Sequence, residues 1–282
     1  MNWIKIIKEN NFHFKKSLGQ NFLIDNNIID KITSSVKENI EGIIEIGPGI
    51  GCLTDVFLKS EKIKKIVVIE LDDNAVEILM NNYGKYIERK KLIIIKKDIL
   101  KVDINELILK YFENINQISI VSNLPYNISS PFLFKLFKTD NLKIKTCLLM
   151  FQSELAQRII SSINSKQYNN LSVVSQFYFD IKKICDVKKN SFYPVPKVES
   201  TVLEFKKNKK YVLTDEEKFL FFVRQMFFSK RKTVWNNLKK YSKNNVKTLE
   251  KKISNDIKNK RPENLALSDF YNIYLEILNN EN

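Results

Sequence analysis

Asn123-Leu124-Pro125-Tyr126 brings together an amide, a main-chain carbonyl, a residue without an N–H and a phenol ring, just after the apolar run Ile118–Val121. These groups suit methylation of an exocyclic amino group. The lone pair of an adenine amino nitrogen is delocalised into the ring, which makes it a poor nucleophile. An acceptor on Asn123 and the main-chain carbonyl of Leu124 can take both N–H groups, favour a pyramidal nitrogen and aim its lone pair at an electrophilic methyl. Pro125 stiffens the turn and offers no competing donor, and the ring of Tyr126 can stack on the base. No strong base is needed, because positioning and electrostatics lower the barrier and the proton leaves late. A base must leave its stack to reach such a site. Phe192, in Ser191-Phe192-Tyr193-Pro194-Val195-Pro196-Lys197, is the candidate for its second stacking face.

A second constellation lies upstream. Glu45-Ile46-Gly47-Pro48-Gly49-Ile50-Gly51 joins an apolar run to a helical pattern, and its glycines let the backbone approach a ligand closely. Glu70 ends the next apolar run and can accept hydrogen bonds from both hydroxyls of a ribose. Asp98 ends the third and can accept from an adenine amino group. The acid at Glu70 suits NAD and S-adenosylmethionine equally. A dinucleotide fingerprint would place a third glycine where Cys52 stands, so the loop favours a nucleoside over a pyrophosphate.

The elements that must position these residues follow from periodicity. Short apolar runs (43–46, 66–69, 92–95, 118–121, 146–151) alternate with helical patterns at 25–39, 53–58, 74–82, 104–112 and from 132 onward. This order predicts βα units around a mostly parallel sheet, covered by helices on both faces because the strands are apolar throughout. Leu171–Ile181 and Val198–Phe205 read as two late strands that close the sheet. The charge cluster Lys206–Lys210 reads as a linker. Beyond it Thr214-Asp215-Glu216-Glu217 reads as a capping box, with further helix starts at Pro262 and Ser268. A catalytic domain over residues 1–206 and a small helical domain over 207–282 are expected.

Composition narrows the partners. The 282 residues carry 47 Lys and Arg against 32 Asp and Glu, a net charge of +15, which points to a polyanion such as RNA. Lys230-Arg231-Lys232 is the candidate phosphate-binding cluster. Cys52, Cys147 and Cys185 are scattered, which suggests neither zinc nor a disulfide framework and suits a reducing cytoplasm. The only histidine, His13, sits in a basic leader, which argues against Ser–His or Cys–His catalysis. No secretory leader or membrane span is expected, since no apolar run reaches about 18 residues.

Taken together these motifs resemble the small-subunit ribosomal RNA adenine dimethyltransferases, the kasugamycin-sensitivity family. The resemblance is carried by Ser17-Leu18-Gly19-Gln20-Asn21-Phe22-Leu23, the Gly47 loop, Glu70, Asp98, Asn123–Tyr126, Gln152-Ser153-Glu154, Leu171-Ser172-Val173, the Phe192–Val198 turn and Lys230-Arg231-Lys232-Thr233. It implies a Rossmann-like α/β methyltransferase fold with a seven-stranded, mostly parallel sheet and a C-terminal all-helical domain. It also implies S-adenosylmethionine contacts at Asn21, Leu23, Gly47, Gly49, Glu70, Asp98 and Asn123, and a chain that acts as a monomer without metal. The implied activity is dimethylation of N6 on two adjacent adenosines in the hairpin near the 3′ end of 16S ribosomal RNA, on an assembling 30S subunit. Two alternatives stay open: a large-subunit adenine methyltransferase of the macrolide-resistance type, and an assembly factor whose RNA binding outweighs catalysis. Three positions depart from the family pattern. Asn169 stands for Gly, where it is expected to keep a left-handed turn. Cys52 stands for Ala, and Lys230 for Arg with loss of the bidentate fork.

Overall fold

Runs of Ile and Val too short for a helix, bounded by glycine or charge, become the central strands in the computed structural model, which describes residues 2–208, 211–241 and 246–279. The strands are β1 (Phe22–Leu23), β2 (Gly42–Ile46), β3 (Lys65–Glu70), β4 (Leu92–Lys96), β5 (Ile118–Asn123), β6 (Ile144–Gln152), β7 (Phe179–Val187), β8 (Phe192–Tyr193) and β9 (Ser200–Lys207). Seven form one sheet in the order β4-β3-β2-β5-β6-β9-β7, and β1 pairs with β8 in a separate ribbon. The pairs β2–β3, β2–β5, β3–β4 and β5–β6 are parallel and β6–β9 is antiparallel. Every residue of β2 is buried, as a strand covered on both faces requires.

The strand order reverses between β2 and β5. Crevices for ligands open at such switch points, beyond the carboxyl ends of the strands. Register brings the key residues to that edge: Ile46 is level with both Ile69 and Ser122, so Gly47, Glu70 and Asn123 follow side by side.

The helices are α1 (Trp3–Glu9), α2 (Asn26–Ser34), α3 (Cys52–Lys59), α4 (Asp73–Glu88), α5 (Ile104–Tyr111), α6 (Ser129–Lys138), α7 (Ser153–Ile160), α8 (Asn170–Tyr178), α9 (Glu216–Met226), α10 (Val234–Tyr241), α11 (Val246–Lys252), α12 (Asn255–Asn259) and α13 (Leu267–Leu278). Several starts are capped by Asp: Asp25, Asp72 and Asp103 each accept from main-chain N–H groups two or three residues on. The cap of α9 is Asp215, which accepts from Lys218 N–H at 3.0 Å, and not the Thr214 that the sequence suggested. The residue Thr214 lies one place too early to reach the first free N–H groups.

The expected strand over Leu171–Ile181 is a helix for most of its length. Its β-branched and aromatic residues suit a strand, but Asn169 accepts from Leu171 N–H (2.8 Å) while Ser172 Oγ accepts from Asn169 N–H (3.1 Å). That reciprocal cap starts α8, and its buried all-round character explains the misleading composition. Asn169 is extended, with φ −158° and ψ −176°, rather than left-handed. The substitution for glycine is thus explained by side-chain capping.

The described chain divides into two compact units, residues 1–156 with 182–206, and residues 157–181 with 207–282. This differs from a single boundary at 206/207 by the segment 157–181. Within the second unit that segment is held by rings and polar groups: Phe177 packs on Phe219 with centroids 4.8 Å apart, and Tyr178 donates to Glu216 at 2.9 Å. Of the linker cluster, Lys209 and Lys210 lie outside the described residues. Among the described residues no helix is long and apolar enough to cross a membrane.

Candidate active site

A cavity of about 270 Å³ opens at the switch point of the first unit. Its walls include Asn21, Gly47, Gly49, Glu70, Asp98 and the whole of Asn123–Tyr126. Two residues expected there are not lining it. Leu23 is 2% exposed and Phe192 is 1% exposed, and both belong to the hydrophobic core. They face each other across the β1–β8 pair, and their side chains pack in the core. Phe22, between Asn21 and Leu23, does line the cavity.

The Gly47 loop leaves β2 with Gly47 N–H donating to the Ile69 carbonyl at 2.9 Å. Gly47 has φ +63°, and a Cβ there would meet only Pro125 at 3.7 Å. Backbone conformation, not crowding, requires this glycine. At Gly49 (φ +56°) a Cβ would fall 2.6 Å from the ring of Phe22, so this glycine also makes room for the segment that covers the loop.

Glu70 is nine-tenths buried and nested in main-chain donors. Its Oε2 accepts from Gly49 N–H (3.0 Å) and its Oε1 from Leu71 N–H (2.7 Å) and Asp72 N–H (3.0 Å). Burial raises its pKa above the usual carboxylate value, against the lowering effect of those three donors. Asp98 is half-buried and accepts from Leu100 N–H at 2.9 Å, which caps a short 3₁₀ turn at Ile99–Lys101. It therefore both opens that turn and lines the cavity.

Behind the loop lies Glu45, 2% exposed, with Thr54 Oγ1 donating to its Oε2 at 2.6 Å. Burial pushes its pKa up to about 8, with the nearby Glu70 charge acting in the same direction. Thr54 sits in the first turn of α3, so the pair ties the loop's entry to its exit.

The Asn123 side chain has a fixed orientation. Its Nδ2 donates to the Asn21 carbonyl at 2.9 Å, which leaves Oδ1 to accept from a ligand. Ser122 Oγ donates to the Ile46 carbonyl at 2.6 Å and binds β5 to β2 just below. The Pro125 carbonyl accepts from Ile128 N–H and Ser129 Oγ, both at 3.1 Å, so the turn is set by the start of α6. Tyr126 Oη and Ser200 Oγ are 2.9 Å apart, which pins the ring from its far end. Burial raises the Tyr126 pKa, keeping the phenol neutral.

In the second unit, Lys230, Arg231 and Lys232 lie on the turn after α9, all exposed. The buried Asn237 holds that turn by donating from Nδ2 to the carbonyls of Met226 (2.9 Å) and Ser229 (3.3 Å). Lys230 Nζ donates to the Tyr168 carbonyl at 3.3 Å and lies 5.9 Å from the Phe227 ring centroid. Arg231 and Lys232 are the cluster's outward charges. Sequence reasoning gave Asn237 no role. A buried Asn on an otherwise apolar helix face is the signal that would have found it.

A doubly wound sheet with a cavity at its switch point is the Rossmann-like architecture that holds nucleoside cofactors, and its sequence relatives place this chain among the methyltransferases. The chain matches the family described as ribosomal RNA adenine dimethylase over residues 11–277 and belongs to that family. It is 40% identical over 265 residues to the ribosomal RNA small subunit methyltransferase A of Malacoplasma penetrans, covering 93% of this chain and 92% of that one. The protein of the same name from Mycoplasma capricolum is 41% identical, covering 92% and 96%. Among solved structures, a dimethyladenosine transferase from Plasmodium falciparum superposes with a TM-score of 0.77 at 26% identity, covering 92% of this chain and 98% of that one. The 23S rRNA methyltransferase ErmE shares the fold, with a TM-score of 0.64 at 19% identity over 90% and 99%.

Proposed function

We propose that this chain uses S-adenosylmethionine to dimethylate N6 of two adjacent adenosines in the hairpin near the 3′ end of 16S ribosomal RNA, on an assembling small subunit. The observation that carries the reading is Asn123. Its amide is anchored through Nδ2 to Asn21, and its oxygen belongs to the same cavity as Glu70 and Asp98. Relatives named ribosomal RNA small subunit methyltransferase A support the choice of RNA.

The cavity fits the cofactor on its own chemistry. Glu70 offers a preorganised carboxylate for two vicinal hydroxyls, Asp98 an acceptor for an amino group, and Gly47 an uncrowded backbone between them. Bound S-adenosylmethionine supplies a methyl group on a positively charged sulfur. Asn123 Oδ1 and the Leu124 carbonyl accept from the adenine amino group and turn its lone pair toward that methyl. Tyr126, pinned through Ser200, provides the stacking face. Glu70 and Asp98 hold the cofactor end, and the groups are fixed before substrate arrives, so little reorganisation remains for the transition state. The first unit is the catalytic part. Arg231 and Lys232 of the second unit contact phosphates, and Lys230 supports their turn.

The test is direct. The protein is incubated with methyl-labelled S-adenosylmethionine and small subunits lacking the modification, and the RNA is digested to nucleosides. Label in N6,N6-dimethyladenosine from the 3′ hairpin is expected. Label in large-subunit RNA, or in a different nucleoside, would overturn the assignment.

A further inference from the structure

Resting on the cofactor reading above, we propose that Asp72 is a positioning residue that latches residues 15–21 over the cofactor cavity and thereby sets the rate at which cofactor and product leave.

Residues 15–21 form a flap. Its feet are brought together by rings: Phe12, Phe14 and Phe22 lie with centroids 5.0 to 5.1 Å apart, and Phe14 meets Tyr193 at 5.7 Å. The flap is shaped internally by a 3₁₀ turn at Lys16–Leu18 and by Lys15 N–H donating to Gln20 Oε1 at 2.8 Å. Leu18, Gly19, Gln20 and Asn21, at its tip, line the cavity. A ligand in the cavity is thus covered by a loop whose feet are in the core and whose body is held by side-chain hydrogen bonds.

Those bonds fall on two sides. On the β5 side, Asn123 Nδ2 donates to the Asn21 carbonyl and Asn127 Nδ2 to the Ser17 carbonyl, at 2.9 and 3.4 Å. On the β3 side everything converges on Asp72. Lys15 Nζ donates to its Oδ1 at 2.7 Å and Gln20 Nε2 to its Oδ2 at 2.5 Å. Asp72 is only 1% exposed, because the flap covers it. Charge-assisted bonds of this kind are about twice as strong as neutral ones.

Asp72 also caps α4 by accepting from Asn74 N–H at 3.1 Å. An Asn would serve that cap equally well. The two flap donors, one of them cationic, are what call for a carboxylate. The latch is moreover wired to the cofactor site, since Asp72 N–H donates to Glu70 Oε1 at 3.0 Å. Whatever fixes Glu70 fixes the backbone that presents the latch, so cofactor binding and flap closure support each other.

The test compares wild type with Asp72→Asn, which keeps the α4 cap, and Lys15→Met, which changes a half-exposed side chain outside the core. Release of S-adenosylhomocysteine is followed by stopped-flow, and tryptic cleavage after Lys16, which every variant keeps, is timed with and without that ligand. Each variant is expected to release the ligand about tenfold faster, the equivalent of one lost hydrogen bond to a charged group. KM for S-adenosylmethionine rises while kcat at saturation stays near wild type, and ligand protects the tryptic sites less than in wild type. Wild-type release rates and protection in both variants would overturn the latch. A loss confined to ligand-free thermal stability would make the contacts of Asp72 purely structural and also overturn it. Failure of the wild type itself to bind S-adenosylhomocysteine would instead remove the cofactor reading, and the latch with it.

Discussion

Asn123 Nδ2 donates to the Asn21 carbonyl at 2.9 Å across 102 residues of sequence. The bond assigns the amide's two ends: nitrogen to the protein, oxygen to the ligand. Asn123→Ala is expected to lower kcat by roughly 10²–10³-fold, the range for removal of one preorganised polar group, while RNA affinity in a filter-binding assay stays within error of wild type. Equal loss of affinity and activity would contradict the assigned role. Asn123→Asp should be as inactive, because a carboxylate cannot donate to Asn21 and is repelled by its carbonyl.

Glu70 predicts a different kinetic split. Glu70→Gln keeps the shape but brings an NH₂ toward main-chain N–H groups that need an acceptor. KM for S-adenosylmethionine is expected to rise by about tenfold to a hundredfold, with a smaller change in kcat. Initial rates at varied cofactor and fixed RNA check this. An unchanged KM would remove Glu70 from the cofactor site.

Glu45 predicts a pH dependence. Its folded pKa of about 8 lies above the ordinary 4.5, so the folded state favours the protonated form. The stability it contributes is complete below pH 4.5 and is lost as pH rises through about 8. Each tenfold gain in proton affinity on folding corresponds to about 1.4 kcal/mol. Glu45→Gln, neutral at every pH, should remove this slope. The Tm of wild type minus that of the variant should fall steadily between pH 5 and pH 8. A flat difference would show that Glu45 titrates normally.

The basic turn predicts a salt effect. Arg231→Ala and Lys232→Ala should each reduce the slope of log affinity against log salt by about 0.7–0.9, one phosphate's share. Lys230→Ala should change the slope less and the Tm more, because its ammonium is bonded to Tyr168. Titrations at several salt concentrations separate the three.

Much of the fold was legible because the informative signals were local. The five short apolar runs from Ile43 to Phe151 all formed strands, and the acids and glycines at their ends reached one edge. The failures have physical causes. Leu171–Tyr178 carries a strand's composition, and only the reciprocal cap of Asn169 and Ser172 makes it helical. Leu23, expected at the cofactor from the family resemblance, and Phe192, expected as a stacking face, pair across β1–β8 with their side chains in the core. Lys15, Gln20 and Asp72 were invisible as a set because 52 to 57 residues separate the partners.

The β1–β8 ribbon has a consequence for biosynthesis. Asp25 and Ser191, which flank it, are hydrogen-bonded at 2.9 Å although 166 residues apart. The segment that roofs the cavity is synthesised before strands β2 to β7, and its partners on β8 after them. Closing so long a loop is entropically slow. A nascent chain can therefore assemble β2 to β5 and their glycine loop well before it owns a complete pocket, and a product truncated before Phe192 would carry the recognisable motifs without a finished enclosure around them.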